Sequence, residues 1–184
     1  MRPGGALVAG VLLVPLLLLP ACTEHQARPD DASGGKVTLC LPGKNGWTPL
    51  TAELAATPEA RSRGLSGRDR LARRAGMLFL YPQMKGPGNQ FWMYRTNIPL
   101  TIAFMNGNGT IGALQGMSPC LYEDGDRCPR FEAGVPHRAA LEVNQGLFEA
   151  LGVEVGDRIA LDPSPRGECR DPDPFSVSAL LERY

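Results

Sequence analysis

The sequence predicts an α+β fold: a β-rich, small barrel-like domain with two short helices. Apolar runs of strand length recur between turn-forming Gly, Pro and Asn residues, which is typical of a sheet built from many short strands. Asn106-Gly107-Asn108-Gly109 is a strong hairpin signal, because Asn and Gly tolerate the positive φ of tight turns. Two segments carry the start and stop signals of a helix, and both are short.

The strands are predicted from these apolar runs and the turns that separate them. Gly76–Tyr81 is continuously apolar, which indicates a strand buried on both faces. From Asp162 onward the chain is polar and Pro-rich, and no element is predicted there. The predicted strands are, in chain order, Val37–Leu41, Leu50–Leu54, Gly76–Tyr81, Phe91–Tyr94, Ile98–Met105, Thr110–Leu114, Ala139–Val143 and Arg158–Leu161.

The two predicted helices follow from capping residues. Thr57-Pro58-Glu59 combines an N-cap, a Pro suited to the first turn and a carboxylate near the positive helix end, and Gly64 ends the helix. Asn144 is a candidate cap for a second helix over Gln145–Leu151, which Gly152 closes.

The N-terminus predicts export. Arg2 is followed by an uncharged apolar run over Ala6–Ala21, the layout of a secretory signal. Leu19-Pro20-Ala21-Cys22 resembles the bacterial lipobox, in which the cysteine is acylated and becomes the new N-terminus. We therefore expect a signal peptide over 1–21, a lipidated cysteine and flexible tether over 22–35, and one globular domain over 36–184, anchored outside the cytoplasm in the bacterial cell envelope. The alternative is an ordinary secretory signal that leaves Cys22 as a spare thiol.

The charge balance argues against nucleic acid as a partner. The chain has 19 basic and 19 acidic residues, so it lacks a basic field that would attract a polyanion. The arginines of residues 61–74 alternate with Glu59 and Asp69 nearby, which favours a solvated surface over a phosphate site.

Cysteine number predicts two disulfides. If Cys22 is acylated, four cysteines remain, and an even number in an exported chain favours pairing. Of the three possible connectivities, spacing favours Cys120 with Cys128, which leaves Cys40 with Cys169. No metal and no cofactor are predicted, because the chain has no Cys-x-x-Cys and only two histidines.

Five segments taken together resemble a prokaryotic family known as domain of unknown function 192. They occur in the family's order and span roughly residues 51–159. They are Ala52-Glu53-Leu54-Ala55 with Thr57-Pro58-Glu59 and Arg63-Gly64-Leu65; Gly76-Met77-Leu78-Phe79; Phe91-Trp92-Met93 with Thr96 and Ile98-Pro99-Leu100; Met117-Ser118-Pro119-Cys120 with Cys128-Pro129; and Leu141-Glu142-Val143-Asn144 with Gly146, Gly152, Gly156 and Asp157.

The resemblance implies a compact β-barrel-like fold, often exported, with no established activity. This chain departs from the family pattern at two places. Thr101 follows Ile-Pro-Leu where the family commonly has an acidic residue, and Tyr94-Arg95 follows Phe-Trp-Met where the family commonly has Lys-Asn. The first departure weakens any enzymatic inference from the family.

The aromatic segment Phe91–Tyr94 has two interpretations. Because successive strand residues point to opposite faces, it predicts either a central strand buried on both sides or a strand whose Trp92 and Tyr94 line a pocket. In the second case Arg95, Thr96 and Asn97 would supply the polar groups that orient a ligand, with Arg95 suited to a carboxylate or phosphate.

The remaining candidates for chemistry are few. Glu142 and Asp157 would act as an acid–base pair only if they faced one cavity, and His137 is expected to be solvated in a Pro-rich loop. The sequence therefore predicts a non-enzymatic exported lipoprotein that reaches the membrane through its lipid anchor and binds a small ligand or an envelope protein. The alternative is an enzyme acting on a cell-envelope substrate.

Overall fold

The computed structural model describes Met1, residues 35–164 and residues 166–184. Met1 and Gly35 apart, the predicted signal peptide, Cys22 and the tether lie outside the described residues. Within the described part of the chain, no helix combines the length and apolar character needed to cross a bilayer.

The described residues form ten strands and three α-helices. The strands are β1 Lys36–Leu41, β2 Thr48–Ala55, β3 Ala75–Lys85, β4 Gln90–Trp92, β5 Leu100–Met105, β6 Ile111–Met117, β7 Arg130–Glu132, β8 His137–Asn144, β9 Ala160–Leu161 and β10 Asp173–Pro174. The helices are α1 Pro58–Arg63, α2 Leu147–Leu151 and α3 Val177–Arg183. This composition confirms the predicted β-rich α+β class.

Eight strands form one large sheet in the order β10-β9-β1-β2-β3-β8-β5-β6, and β4 pairs with β7 in a separate two-stranded sheet. The β2–β3 pair is parallel and the other pairs are antiparallel. A parallel pair needs a crossover connection, and α1 with the loop that follows it fills that role. This crossover places α1 beside β3.

The expectation of a barrel is wrong, because the sheet stays open. Its edges are β6 and β10, and among the described residues no strand pair joins them. Thr110, just before β6, forms an isolated bridge with Arg158, just before β9. The strands β9 and β10 are two residues long each, which is too short to complete a closed wall of hydrogen bonds.

A third helix, α3, was not predicted. Ser176 caps it by accepting a hydrogen bond from the Ala179 amide at 3.3 Å, and Val177 and Leu180 are buried.

The start of α2 also differs from the prediction, since Gly146 precedes the helix and gives no side-chain cap. Asn144 instead donates to the carbonyl oxygens of the segment before β3. The start of α1, by contrast, is as predicted, with Thr57 Oγ1 accepting from the Ala60 amide.

Hydrophobic side chains pack on both faces of the large sheet. One face is covered by α2 and α3, through Phe148, Val177 and Leu180 among others. The other face is covered by α1 and by the β4–β7 sheet, and its cluster includes Phe91 and Phe104. The second face carries the cleft described below.

Both disulfides have the pairing that the cysteine spacing favours. Cys40 joins Cys169 and Cys120 joins Cys128, each with a Cα–Cα distance of 5.6 Å, which is ordinary for a disulfide. The first attaches the C-terminal segment to β1, and the second closes a loop beside β4. Cys40, Cys169 and Asp162 also form the one group of potential metal ligands found among the described residues, but the disulfide occupies both sulfurs.

Candidate ligand-binding cleft

A cleft of about 470 Å³ opens on the second face of the sheet, between α1 with its following loop, β3, β4 and β8. Its walls combine aromatic rings, hydroxyl groups and a small number of charged groups. The aromatic residues are Phe79, Tyr81, Phe91, Trp92 and Tyr94; the hydroxyl residues are Ser62, Ser66 and Thr96; the charged residues are Arg61, Arg63 and Glu142. Apolar contact surface combined with polar groups that fix the orientation of a ligand is typical of small-molecule sites.

Glu142 is the buried acid of the cleft. It lies on β8 between Met77 of β3 and Ile102 of β5, and only 5% of its surface is exposed. Burial raises the pKa of Glu142 to about 8, because removing a carboxylate from water disfavours its charged form. At neutral pH the side chain is therefore mainly a neutral acid that can donate a hydrogen bond.

Arg61 is held firmly at the side of the cleft. Its guanidinium lies 5.1 Å from the centre of the Tyr81 ring, and Nη1 donates to the Ala56 carbonyl and, at 2.9 Å, to the Leu80 carbonyl. The sequence-based interpretation of the arginines as a solvated surface is thus wrong for Arg61. The sequence feature that could have indicated this is its position on the last turn of α1, three residues before Gly64.

The structure corrects the interpretation of Trp92 as part of a strand buried on both sides. Phe91 and Met93 are buried, but Trp92 is 39% exposed at the cleft. The reason is that β4 pairs only with the three-residue β7 and covers the large sheet from outside. Trp92 packs instead against the Arg130 guanidinium, 4.1 Å from its ring, and against Tyr94 with ring centres 5.3 Å apart.

Tyr94 and Thr96 also line the cleft, whereas Arg95 and Asn97 do not. Arg95 is exposed, adopts a positive φ of 56° and places its guanidinium 5.1 Å from the Tyr94 ring. Asn97 donates to Asp69 at 2.6 Å. Of the five candidate ligand-binding residues, Trp92, Tyr94 and Thr96 therefore meet at one site.

The Cys120–Cys128 loop supports this aromatic corner. Tyr94 donates from its hydroxyl to the Glu123 carbonyl at 3.1 Å. Gly125 lies so close that a Cβ there would be 3.2 Å from the Tyr94 ring and 3.3 Å from the Trp92 ring. The disulfide thus holds a loop in contact with both aromatic walls.

His137 is buried, contrary to the expectation of a solvated side chain. It packs against the ring of Phe104 at 5.1 Å, behind the cleft. Its Nδ1 lies 3.1 Å from the Val135 carbonyl, and its Nε2 lies 3.2 Å from Asn89 Nδ2. These partners assign the proton to Nδ1, so that Nε2 accepts from the amide. Burial lowers the pKa of His137, which favours the neutral ring.

Glu142 and Asp157 do not form a pair. Asp157 lies in the turn before β9, where its carboxylate accepts from the Glu154 amide at 2.8 Å. Its role is that of a turn residue that bonds nearby backbone, and it does not line the cleft.

Comparison with known proteins places the chain in a family. The family model DUF192, described as Uncharacterized ACR, matches residues 40–161, which is more than half of the chain. The chain belongs to the DUF192 family. No curated protein matches it.

Two solved structures are similar to this DUF192 chain. A proposed transcription regulator from Sinorhizobium meliloti 1021 has 31% sequence identity and a TM-score of 0.62, over 70% of this chain and 95% of that one. A protein of unknown function from Novosphingobium aromaticivorans DSM 12444 has 31% identity and a TM-score of 0.57, over 67% of this chain and 84% of that one.

Thr101, where this DUF192 chain lacks the family's acidic residue, lies away from the cleft. It follows Leu100 on β5 and pairs with Val143, whereas its neighbour Ile102 pairs with Glu142. Since successive strand residues point to opposite faces, Thr101 faces away from Glu142. It lines a separate shallow pocket beside α2, so the substitution leaves the composition of the cleft unchanged.

Proposed function

We propose that this DUF192 protein is an exported, lipid-anchored binding protein of the bacterial cell envelope, and that its cleft holds a small ligand without transforming it. The observation that supports the ligand site is the convergence of Arg61, Glu142 and the Trp92–Tyr94 pair on one cavity. The polar groups of such a site orient a ligand, and the aromatic walls supply contact area.

Binding is favoured over catalysis by the surroundings of Glu142. Among the described residues that line the cleft, Glu142 is the only carboxylic acid, and no histidine lines it. An enzyme acting on a cell-envelope substrate remains the second candidate, because a buried acid with a pKa of about 8 suits a general acid. Turnover of the bound molecule would favour that candidate.

Export is supported by the two disulfides, since paired cysteines persist mainly in oxidising compartments. The lipobox-like segment ending at Cys22 supplies the anchor. Equal numbers of basic and acidic residues argue against nucleic acid as a partner. The description of the Sinorhizobium protein as a transcription regulator applies to that protein.

Replacing Cys22 with serine is expected to abolish lipid labelling, since a serine hydroxyl does not replace the thiol in acyl transfer. The variant should accumulate as a precursor or as a form released from the membrane. The measurement is incorporation of a fatty acid analogue followed by cell fractionation, with Thr23→Ala as the matched control. Equal labelling of the serine variant and the parent would exclude Cys22 as the anchor.

Placing a tryptophan at Ser62 is expected to block the cleft. Ser62 is an exposed residue of α1 on the wall of the cleft, so a larger side chain there fills the cavity without entering the core. The full-length protein would be incubated with small molecules extracted from the envelope, and bound molecules would be identified by mass spectrometry.

The matched control is Ser178→Trp, at an exposed serine of α3 on the opposite side of the large sheet. We expect Ser62→Trp to lose a bound molecule that the parent and Ser178→Trp retain. Equal recovery from all three proteins would remove the cleft as the ligand site.

A further inference from the structure

One fixed cation and one buried acid line the cleft. Arg61 lies at its side, and Glu142 is buried on β8. Because burial raises the pKa of Glu142 to about 8, this acid is mainly uncharged at neutral pH. The charge of Arg61 therefore favours an anionic ligand.

Arg61 presents its guanidinium in one orientation. Nη1 is held by two backbone carbonyls, and the plane lies against the Tyr81 ring, so the side chain has little freedom to lose when a ligand binds. A planar guanidinium matches the two oxygens of a carboxylate. With Nη1 engaged by the backbone, a two-point contact with a carboxylate would use Nε and Nη2.

We propose that the cleft binds small organic carboxylates, with the ligand's carboxylate held between the Arg61 guanidinium and the carboxyl proton of Glu142, and its organic part against Trp92 and Tyr94. This inference rests on the proposed function, since it names the ligand class for the same cleft. The ligand gains one charge-assisted contact from Arg61 and one hydrogen bond from the neutral acid.

Other ligand classes match these groups less well. A cation would be repelled by Arg61 and would require Glu142 to ionise in its buried position. A phosphate brings up to two charges and three or more acceptor oxygens, whereas the cleft offers one acid proton from Glu142 and, at its side, a guanidinium already engaged on one nitrogen. A neutral sugar would gain nothing from the positive charge.

The inferred site depends on pH through Glu142. Above the pKa of about 8 the acid loses the proton that it donates and acquires a charge that repels a carboxylate. Arg61 and Arg63 of α1 also line the cleft. Burial raises the pKa of Tyr81 on β3 above its ordinary value near 10, so its ring stays neutral.

The remaining charged and titratable groups near Glu142 come from the neighbouring strands. Tyr94 follows β4 at the mouth of the cleft. On β2, Glu53 lies in register with Met77, the strand neighbour of Glu142, and is paired with Arg68 at 2.7 Å. On β5 the residue opposite Glu142 is Ile102, which does not titrate.

Binding can be followed through Trp92 itself. The chain has two tryptophans, and the other, Trp47, is exposed on the turn before β2. In full-length protein carrying Trp47→Phe, the indole fluorescence therefore reports on the cleft. The probes are propionate and glucuronate, each beside its neutral amide, propionamide and glucuronamide, with inorganic phosphate as the competing anion.

We expect each carboxylate to bind at least about tenfold more tightly than its amide near pH 6.5, and to lose more than about tenfold in affinity near pH 9.5. Adding Glu142→Gln, which keeps a donor without a titrating proton, should leave binding with little pH dependence. An amide that binds as tightly as its carboxylate, phosphate that binds as tightly, or no saturation by either carboxylate would each overturn the inference.

The outcomes separate this inference from the proposed function. Binding of an amide or of an envelope molecule that Ser62→Trp abolishes, without preference for a carboxylate, would retain the cleft as a ligand site and reject the ligand class. Carboxylate binding that Ser62→Trp leaves intact would place the anion elsewhere and reject the inference, while the proposed function would still be decided by recovery of the envelope molecule.

Discussion

Replacing Phe91 with alanine is expected to lower the free energy of unfolding by about 3–5 kcal/mol, whereas the same change at the adjacent Trp92 should cost only about 1 kcal/mol. Phe91 is 8% exposed and packs edge-on against Phe79 at 5.6 Å and Phe104 at 5.3 Å. Its removal leaves a cavity between β4 and the large sheet. Trp92 keeps its face toward Arg130 and water, so truncation removes mainly a partly exposed cation–π contact.

Denaturant unfolding of the two variants measures this difference. Typical domain stability is about 5–15 kcal/mol, so Phe91→Ala should remain measurable but close to the limit of a stable fold. Phe91→Leu serves as the control, because it restores most of the apolar volume. Similar losses at both positions would show that Trp92 is packed more tightly than its exposure indicates.

Glu142→Gln is expected to remove a large pH dependence of stability. The folded protein binds the Glu142 proton with a pKa of about 8, far above the value near 4.5 of an exposed glutamate. Between these values the folded state holds a proton that the unfolded state has released, so this stabilisation is complete below about pH 4.5 and is lost as pH rises through about 8. The loss for the parent should be roughly 3–5 kcal/mol.

His137 acts in the opposite direction. Burial lowers its pKa, so the unfolded state binds a proton before the folded state does, and stability falls as pH drops below about 6.5. Below about pH 6.5 the two effects oppose each other and partly cancel, so the decline that Glu142 causes is measured between about pH 6.5 and 8, where His137 no longer contributes.

Denaturant unfolding across this pH range compares the parent with Glu142→Gln and with Glu132→Gln, a control at an exposed glutamate of β7. We expect the decline between about pH 6.5 and 8 to persist in Glu132→Gln and to be largely absent from Glu142→Gln. An unchanged decline in Glu142→Gln would assign the pH dependence to another group.

Most of the fold could be predicted because its signals are local. The strand over Gly76–Tyr81 follows from a continuous apolar run, and the cap at Thr57 from three adjacent residues. The cysteine spacing likewise favoured both disulfides. The helix α3 was not predicted, because its capping serine follows a polar, Pro-rich segment whose composition is typical of a loop.

The cleft could be predicted only in part, because it depends on contacts between distant segments. The aromatic run that begins at Phe91 is compatible with a central strand and equally with a short strand that covers a sheet. The strand that pairs with it, β7, lies about forty residues further along the chain. Arg61 lies on α1 and Glu142 on β8, so the two residues are far apart in the sequence. No local pattern indicates that they share a cavity.

The Cys40–Cys169 disulfide has a consequence for the protein's fate when a protease cuts it. The two cysteines are 129 residues apart and enclose the loop closed by Cys120 and Cys128. A single cut between Leu41 and Glu168 therefore leaves two fragments in one covalent molecule, and a membrane anchor at Cys22 would retain both. Release of the C-terminal fragment then requires a reductant or a second cut. A nicked population would migrate as one band on a gel without reductant and as two bands with it.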